Sequence, residues 1–386
     1  MITKSKAIYR FLQFLLLNLK YSIFFAFSSK KYNAKQILSE FKKKIIERGI
    51  IIVAKPKGNL NIFYAGTNHS QDYSGFIQGL QKFGNVQTLY DENGEYGVLS
   101  PGRAYNPEAI RSNDRALLKQ VEHYQKTVGI DIFLGQLLAN YVSESTLIEI
   151  QKMGIPVLNI SLDDMWLKNW GKANNYQLGA IGLKNGADLV LNSTPIVNKW
   201  YYKEGCLSMY SPMASSPEIF FPSKEKKYDV IFVGGKYGLR EKLVATLKRR
   251  GINVTTFGPG WTNGSLNSTQ MAEAFRKSKI ILGIGYAGYN KRITTLKNRD
   301  FDAVLSGALY ITTRNKALLN IYKENEEIIC YKHPNDCANK ILYYLEHSEE
   351  RKKIAKAGFN KAIKNHTWEI RFENLFKGIG LLTEDK

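Results

Sequence analysis

Three glycine-bearing runs in the second half of the chain carry the residue types that hold an anion. Gly234-Gly235-Lys236-Tyr-Gly-Leu-Arg240 follows an apolar, β-branched run and precedes a helical pattern. A glycine pair lets the backbone approach a ligand, a helix start offers free N–H groups, and Lys236 and Arg240 add positive charge. The run therefore suits a phosphate or diphosphate, with a plain tight turn as the alternative. Neither the P-loop spacing nor a G-x-G-x-x-G opening a helix occurs here. Phe257-Gly258-Pro-Gly260-Trp261 and Gly283-Ile-Gly-Tyr-Ala-Gly288 repeat the placement after the next two strands. In the first half, Gly66-Thr-Asn-His-Ser-Gln-Asp72 presents His69, and Asn159-Ile-Ser-Leu-Asp-Asp-Met-Trp166 presents Asp163 and Asp164. Each is a candidate general base at a strand's carboxyl end, with helix-start hydrogen bonding or capping as the alternative.

The elements that must position these groups follow from hydrophobic periodicity. Short β-branched runs alternate with amphipathic stretches, the mark of parallel α/β layers. In the first half, strands are expected at 60–65, 86–89, 131–134, 156–160 and 188–191, and helices near 72–83, 112–128, 144–153 and 195–203. After a polar, charged bridge at 221–228 the alternation restarts, with strands at 229–233, 253–257, 280–283, 308–312 and 327–331. Helices are expected there at 237–250, 269–278 and 297–305, followed by a helical tail. Two doubly wound, Rossmann-like domains are thus expected, and such sheets bind ligands at the carboxyl ends of their strands.

Composition narrows the function classes. The 386 residues carry a formal charge of +21 with 44% hydrophobic residues, so the chain can bury large cores and is not a disordered polycation. Three widely spaced cysteines, Cys206, Cys330 and Cys337, fit neither a disulfide framework nor a zinc knuckle, and a reducing cytoplasmic address fits best. Residues 1–57 hold thirteen Lys/Arg against two acids, so about half of the net charge sits in that segment. The apolar stretch between Phe11 and Phe27 is broken by Gln13, Asn18 and Lys20, and a spanning helix needs about 20 nearly uninterrupted apolar residues. Lys20 also argues against a signal peptide. Three readings stay open: a signal peptide, a basic amphipathic helix on an anionic membrane surface, or a helix packed on the first domain. No nucleic-acid recognition motif or Lys/Arg stripe appears in the α/β portion, so nucleic acid is not an expected partner.

Residues 296–313, Leu-Lys-Asn-Arg-Asp-Phe-Asp-Ala-Val-Leu-Ser-Gly-Ala-Leu-Tyr-Ile-Thr-Thr, carry the most specific signal. With Glu327-Ile-Ile-Cys-Tyr331, Glu350-Arg-Lys-Lys-Ile-Ala-Lys-Ala-Gly358 and His366-Thr-Trp-Glu-Ile-Arg371, this stretch resembles the donor-site region of GT-B glycosyltransferases. The likeness is to the CgeB-like branch related to glycosyltransferase family 4, over roughly residues 229–376. Upstream it is thinner, through 159–166 and Pro212-Met-Ala-Ser-Ser-Pro-Glu-Ile-Phe-Phe-Pro222.

Behind the basic N-terminal segment (1–57), read from its charge, the resemblance implies an acceptor domain (58–222) and a nucleotide-sugar donor domain (223–386) whose last helix crosses back, with the two domains facing across a cleft. It implies transfer of a hexosyl-type unit from a UDP- or GDP-sugar to a hydroxyl acceptor; a glycolipid or surface-polysaccharide precursor at the inner face of the cell membrane is expected from the basic N-terminal segment alone. A catalytically silent GT-B protein binding nucleotide or glycan in an envelope or coat assembly is the alternative. On this likeness Gly234, Gly235, Lys236, Arg240, Gly258, Gly260, Lys297, Arg299, Asp302 and Gly307 form the donor site. Lys297, Arg299 and Arg240 would meet the diphosphate, and Asp302 the ribose hydroxyls. Two departures stand out: the family's usual Glu is Asp302, one methylene shorter, and Thr294 stands eight residues upstream where retaining members have a Glu. The anomeric outcome is left open. Asp300-Phe-Asp302 is formally a D-x-D metal motif, but two basic neighbours oppose a divalent cation, and no metal or other cofactor is expected.

Overall fold

A computed structural model describes residues 4–26, 33–99, 105–162, 164, 167–287 and 290–383. The chain sorts into two compact units: residues 12–72, 77–212 and 371–386 in one, and residues 1–11, 73–76 and 213–370 in the other.

The first unit holds a six-stranded, all-parallel sheet. Its strands are β1 (Leu60–Ala65), β2 (Gly84–Thr88), β3 (Ile132–Gly135), β4 (Val157–Ser161), β5 (Leu189–Asn192) and β6 (Ser208–Tyr210), in the order β2-β1-β3-β4-β5-β6. Most of these strands are buried on both faces, which is why they read as continuous apolar runs rather than alternating ones. Helix α1 (Lys4–Ala26) enters this unit from residue 12, and α2 (Ala34–Glu47) follows. The second opens on a capping box between Asn33 and Gln36 and buries Ile37, Phe41 and Ile45, spaced by four along one face. Just beyond its end Arg48 pairs with the fully buried carboxylate of Asp188. Helix α3 (Pro107–Thr127) starts with Pro107 behind the N-cap Asn106, and its Leu117 and Val121 pack on Phe63 and Phe133 of the sheet.

The second unit holds a five-stranded parallel sheet: β7 (Tyr228–Val233), β8 (Val254–Phe257), β9 (Ser278–Leu282), β10 (Leu309–Thr313) and β11 (Ile329–Tyr331), ordered β8-β7-β9-β10-β11. Helices α4 (Arg240–Arg249), α5 (Ser268–Arg276) and α6 (Arg299–Leu305) cover it, with α7 (Pro334–Glu346) and α8 (Ser348–Asn365) behind. A last helix, α9 (Trp368–Ile379), begins among this unit's residues and ends among those of the first.

Several elements depart from expectation. The helix expected at 72–83 is broken: short turns cover 69–76 and a regular helix resumes at Ile77–Gln81. Gly75, at φ 119°, makes the break, and a Cβ there would lie 2.6 Å from Cβ of Ser216. The helix expected at 237–250 starts at Arg240, because Lys236–Leu239 stay in the preceding turn with Gly238 at φ 69°. The sixth strand of the first sheet and a small hairpin pairing Tyr286–Ala287 with Asn290–Thr294 were not expected; both are short and lack apolar runs.

Candidate functional site

In the second unit β7 sits with β8 on one side and β9 on the other, so the order of winding reverses between β7 and β9. Open α/β sheets place ligands at the carboxyl ends of the strands flanking such a reversal. Gly234 follows β7 directly, and the backbones here are locked together. Gly234 N donates to Phe257 O at 2.7 Å, Lys236 N donates to Pro259 O at 2.8 Å, and the Trp261 indole N–H donates to Gly234 O at 2.8 Å. A Cβ on Gly258 would lie 2.6 Å from the Gly234 carbonyl carbon, so these loops require glycine for contact with each other.

Two guanidinium groups converge on Gly234. A Cβ built there would lie 2.5 Å from Nη2 of Arg299 and 3.3 Å from Nη1 of Arg240. Arg240, buried at the start of α4, donates to Gly235 O at 2.9 Å and lies over Tyr237 at 4.1 Å. Arg299, in the first turn of α6, donates from Nη2 to the last carbonyl of β7 and lies over Phe232 at 4.8 Å. Its Nη1 is buried without a hydrogen-bond partner. Neither arginine forms an ion pair with a carboxylate among the described residues. Burial, and then the neighbouring Arg299, pull Arg240 down to about 10. Two like charges meeting at Gly234, neither in an ion pair among the described residues and one with an unused donor, make a site suited to an anion.

The remaining sequence-derived donor residues separate into two groups. Lys236 is exposed, 3.1 Å from Glu241 and over the Trp261 ring at 5.5 Å, and Gly260 packs against its side chain. Lys297 is half-buried, and its backbone N–H is held by Asp300 at 2.8 Å. Asp302 and Gly307 point elsewhere. Asp302 is buried and accepts from the Ser215 hydroxyl at 2.7 Å, a tie to the segment before the bridge. Burial pushes its carboxyl up to about 8, against the lowering effects of Ser215 and Arg299. Gly307, at φ 70°, ends α6 against Pro222, 2.8 Å from where its Cβ would be. Asp300 is buried as well, taking the Tyr310 hydroxyl and Lys297 N–H, so both carboxylates of the D-x-D run are engaged internally. Among the described residues no group of three His, Cys, Asp or Glu side chains is placed to hold a metal.

Sequence reasoning missed two residues near the ends of β9 and β10. A Cβ on Gly285 would lie 3.4 Å from Thr295 O and 3.8 Å from Asn315 Nδ2, and Thr295 Oγ1 and Asn315 Nδ2 are buried without partners. Asn315 is held by its Oδ1, which accepts from Ala317 N and Thr294 Oγ1. Only the fold reveals such orphaned atoms, because Thr and Asn carry no motif of their own.

In the first unit the winding reverses between β1 and β3. His69 is exposed directly behind the N-cap Asn68, with its ring edge-on to Tyr96 at 5.2 Å. Beside it the buried Asp72 accepts from the Tyr96 hydroxyl at 3.0 Å, and burial raises its carboxyl. Asp163 lies outside the described residues. Asp164 is buried and accepts from the Ser161 hydroxyl at 2.6 Å, so it braces the end of β4 rather than facing solvent.

Residues 240–377 match a family model described as glycosyl transferase-like. No curated protein matches the chain by sequence. Among solved structures it is similar to sucrose-phosphate synthase from Thermosynechococcus elongatus (11% identity, TM-score 0.56, covering 83% of this chain and 98% of that one). It is also similar to Anabaena HepE in complex with UDP and glucose (10% identity, TM-score 0.58, 83% and 99%). A third similar structure is a UDP-N-acetylglucosamine 2-epimerase (12% identity, TM-score 0.51, 86% and 99%). At these identities the likeness shows the fold: two α/β units with parallel sheets and a helical C-terminus, the GT-B architecture.

Proposed function

We infer that the chain transfers a glycosyl unit from a nucleotide-diphosphate sugar to a hydroxyl acceptor, as a CgeB-like GT-B enzyme of the hexosyltransferase type. The observation that carries this is the meeting of Arg240 and Arg299 at Gly234, with Arg299 Nη1 buried and unpartnered. When the bond from the anomeric carbon to the diphosphate oxygen breaks, its electron pair leaves with the diphosphate. Two guanidinium groups already in place stabilise that charge without reorganising. The acceptor oxygen forms the new bond and gives up its proton. His69 is the candidate to take it, being the exposed one of the two described candidate bases. Thr295 and Asn315 supply free polar atoms for sugar hydroxyls.

The bound nucleotide in the HepE complex is UDP, which makes UDP the first to test; GDP is the second. The acceptor is read as a glycolipid or surface-polysaccharide precursor at the inner membrane face, because the basic N-terminal segment suits an anionic surface. Stabilisation by UDP in thermal melts, and transfer from labelled UDP-sugars to lipid extracts, test the two halves separately. UDP stabilisation with neither transfer nor donor hydrolysis would leave the silent GT-B alternative standing.

A further inference from the structure

Helix α1 divides into two faces within the first unit. Phe14 and Tyr21 are buried against Trp200, and the Tyr21 hydroxyl donates to Glu204 at 2.8 Å. At 100° per residue, Leu12, Leu15, Leu16, Leu19 and Ile23 fall together on the opposite face, and all five are exposed, Leu16 at 67% and Leu19 at 55%. An exposed apolar stripe of this kind marks an interaction surface.

On the flank between these faces lies a cavity of 470 Å³, lined among others by Leu17, Lys20, Trp170, Lys172, Asn175 and Lys184. Lys20 stands four residues after Leu16, so it borders both stripe and cavity. The two carboxylates at the cavity are already engaged. Glu144 accepts from the backbone and side chain of Asn185, and Glu204 takes Tyr21 with Lys184 at 4.0 Å. Among the described residues Lys20 and Lys172 have no carboxylate ion pair.

We propose that the cavity beside α1 takes the phosphorylated head group of a membrane lipid whose chains lie along the leucine stripe. Charge complementarity selects this occupant: an apolar face alone suits any hydrophobic partner, but lysines at its border and in the adjoining cavity suit an anionic head at the depth where the helix meets the headgroups. The assignment rests on the reading of the acceptor as membrane-held, and it places that acceptor's anchor on the first unit.

The test is flotation of the full chain with phosphatidylcholine vesicles, with and without phosphatidylglycerol, alongside UDP stabilisation of each variant. Flotation is expected only with phosphatidylglycerol, to fall about tenfold or more in the Leu16→Asp/Leu19→Asp double variant, and to fall several-fold in Lys20→Glu and Lys172→Glu. UDP stabilisation of all three is expected unchanged, which shows that they fold. Lys20→Glu and Lys172→Glu floating like the parent protein overturns the cavity assignment. So does thermal stabilisation by free glycerol phosphate that the Leu16/Leu19 variant retains without flotation, because the site then serves a soluble phosphate. If neither UDP nor GDP stabilises the parent protein while flotation behaves as expected, the transferase reading falls and the lipid site stands.

Discussion

The guanidinium groups of Arg240 and Arg299 meet at Gly234, 59 residues from one to the other along the chain, with no carboxylate paired to either among the described residues. Burial, and then the neighbouring Arg299, hold Arg240 below the usual guanidinium range. Replacing Arg299 by Ala removes a hydrogen-bonding charge worth about 1.5–3 kcal/mol to an anion, so UDP affinity should fall roughly ten- to a hundred-fold. The same change relieves a buried like-charge contact, so the ligand-free melting temperature should hold or rise. A parallel loss of both would make Arg299 a structural residue instead.

Gly234→Ala tests the same point from the backbone. The added Cβ meets Arg299 Nη2 at 2.5 Å, and the residue's φ of 145° strains any side chain. A loss of about 1 kcal/mol or more in stability is expected, together with weaker UDP binding as Arg299 is displaced. Gly205→Ala, with φ 78° but open space around it, is the control for strain without displacement.

These two positions also show what the sequence could disclose. Arg240 was legible as a cation in a loop after a strand and Arg299 through the family resemblance, and the alternation of apolar runs placed ten of the eleven main strands within a few residues. The resemblance brought both to one diphosphate; their meeting at Gly234 itself was not legible, because it depends on Arg299 reaching the last carbonyl of β7, 66 residues upstream. Asp302 was read by analogy with a ribose-binding acid, but its partner Ser215 is 87 residues upstream, and nothing local signals that bond. The kink at Gly75 was hidden in the same way, since the glycine's need becomes visible only with Ser216 against it. The sixth strand, Ser208–Tyr210, is held by pairing to β5 rather than by any apolar run of its own.

Thr295→Val keeps shape while removing the orphaned hydroxyl. Stability should hold or rise slightly, because a buried unsatisfied oxygen is lost. Stabilisation by UDP should be unchanged, whereas any additional stabilisation by the cognate UDP-sugar should shrink. Equal weakening of UDP and UDP-sugar would move Thr295 from the sugar to the nucleotide.

Asp302 gives a pH dependence with a definite sign. Its carboxyl rises from 3.8 to about 8 on folding, so between these values the folded state holds a proton that the unfolded state has released. Stability contributed by this group is therefore full below about 4 and is lost as pH rises toward about 8. Asp300 is raised in the same direction and adds to the slope. Urea titrations from pH 4 to 9 should show Asp302→Asn flatter than the parent protein and more stable near pH 8, with Asp300's share of the slope remaining.

Chelation addresses the D-x-D run directly. Transfer should survive EDTA, because the described oxygens of Asp300 and Asp302 are committed to Tyr310, Lys297 and Ser215. Activity that vanishes with EDTA and returns with manganese would require those carboxylates to leave their partners.

The packing of α1 also has a consequence for synthesis. Phe14 and Tyr21 are translated long before Trp200 and Glu204, the latter 183 residues after Tyr21. Until those partners emerge, both the packing face and the leucine stripe of this segment are bare. A nascent chain in that condition is sticky for about half of its elongation, and aggregation or an early encounter with a bilayer competes with folding. An anionic surface that holds the stripe during this interval would leave the opposite face free to receive Trp200 when it arrives.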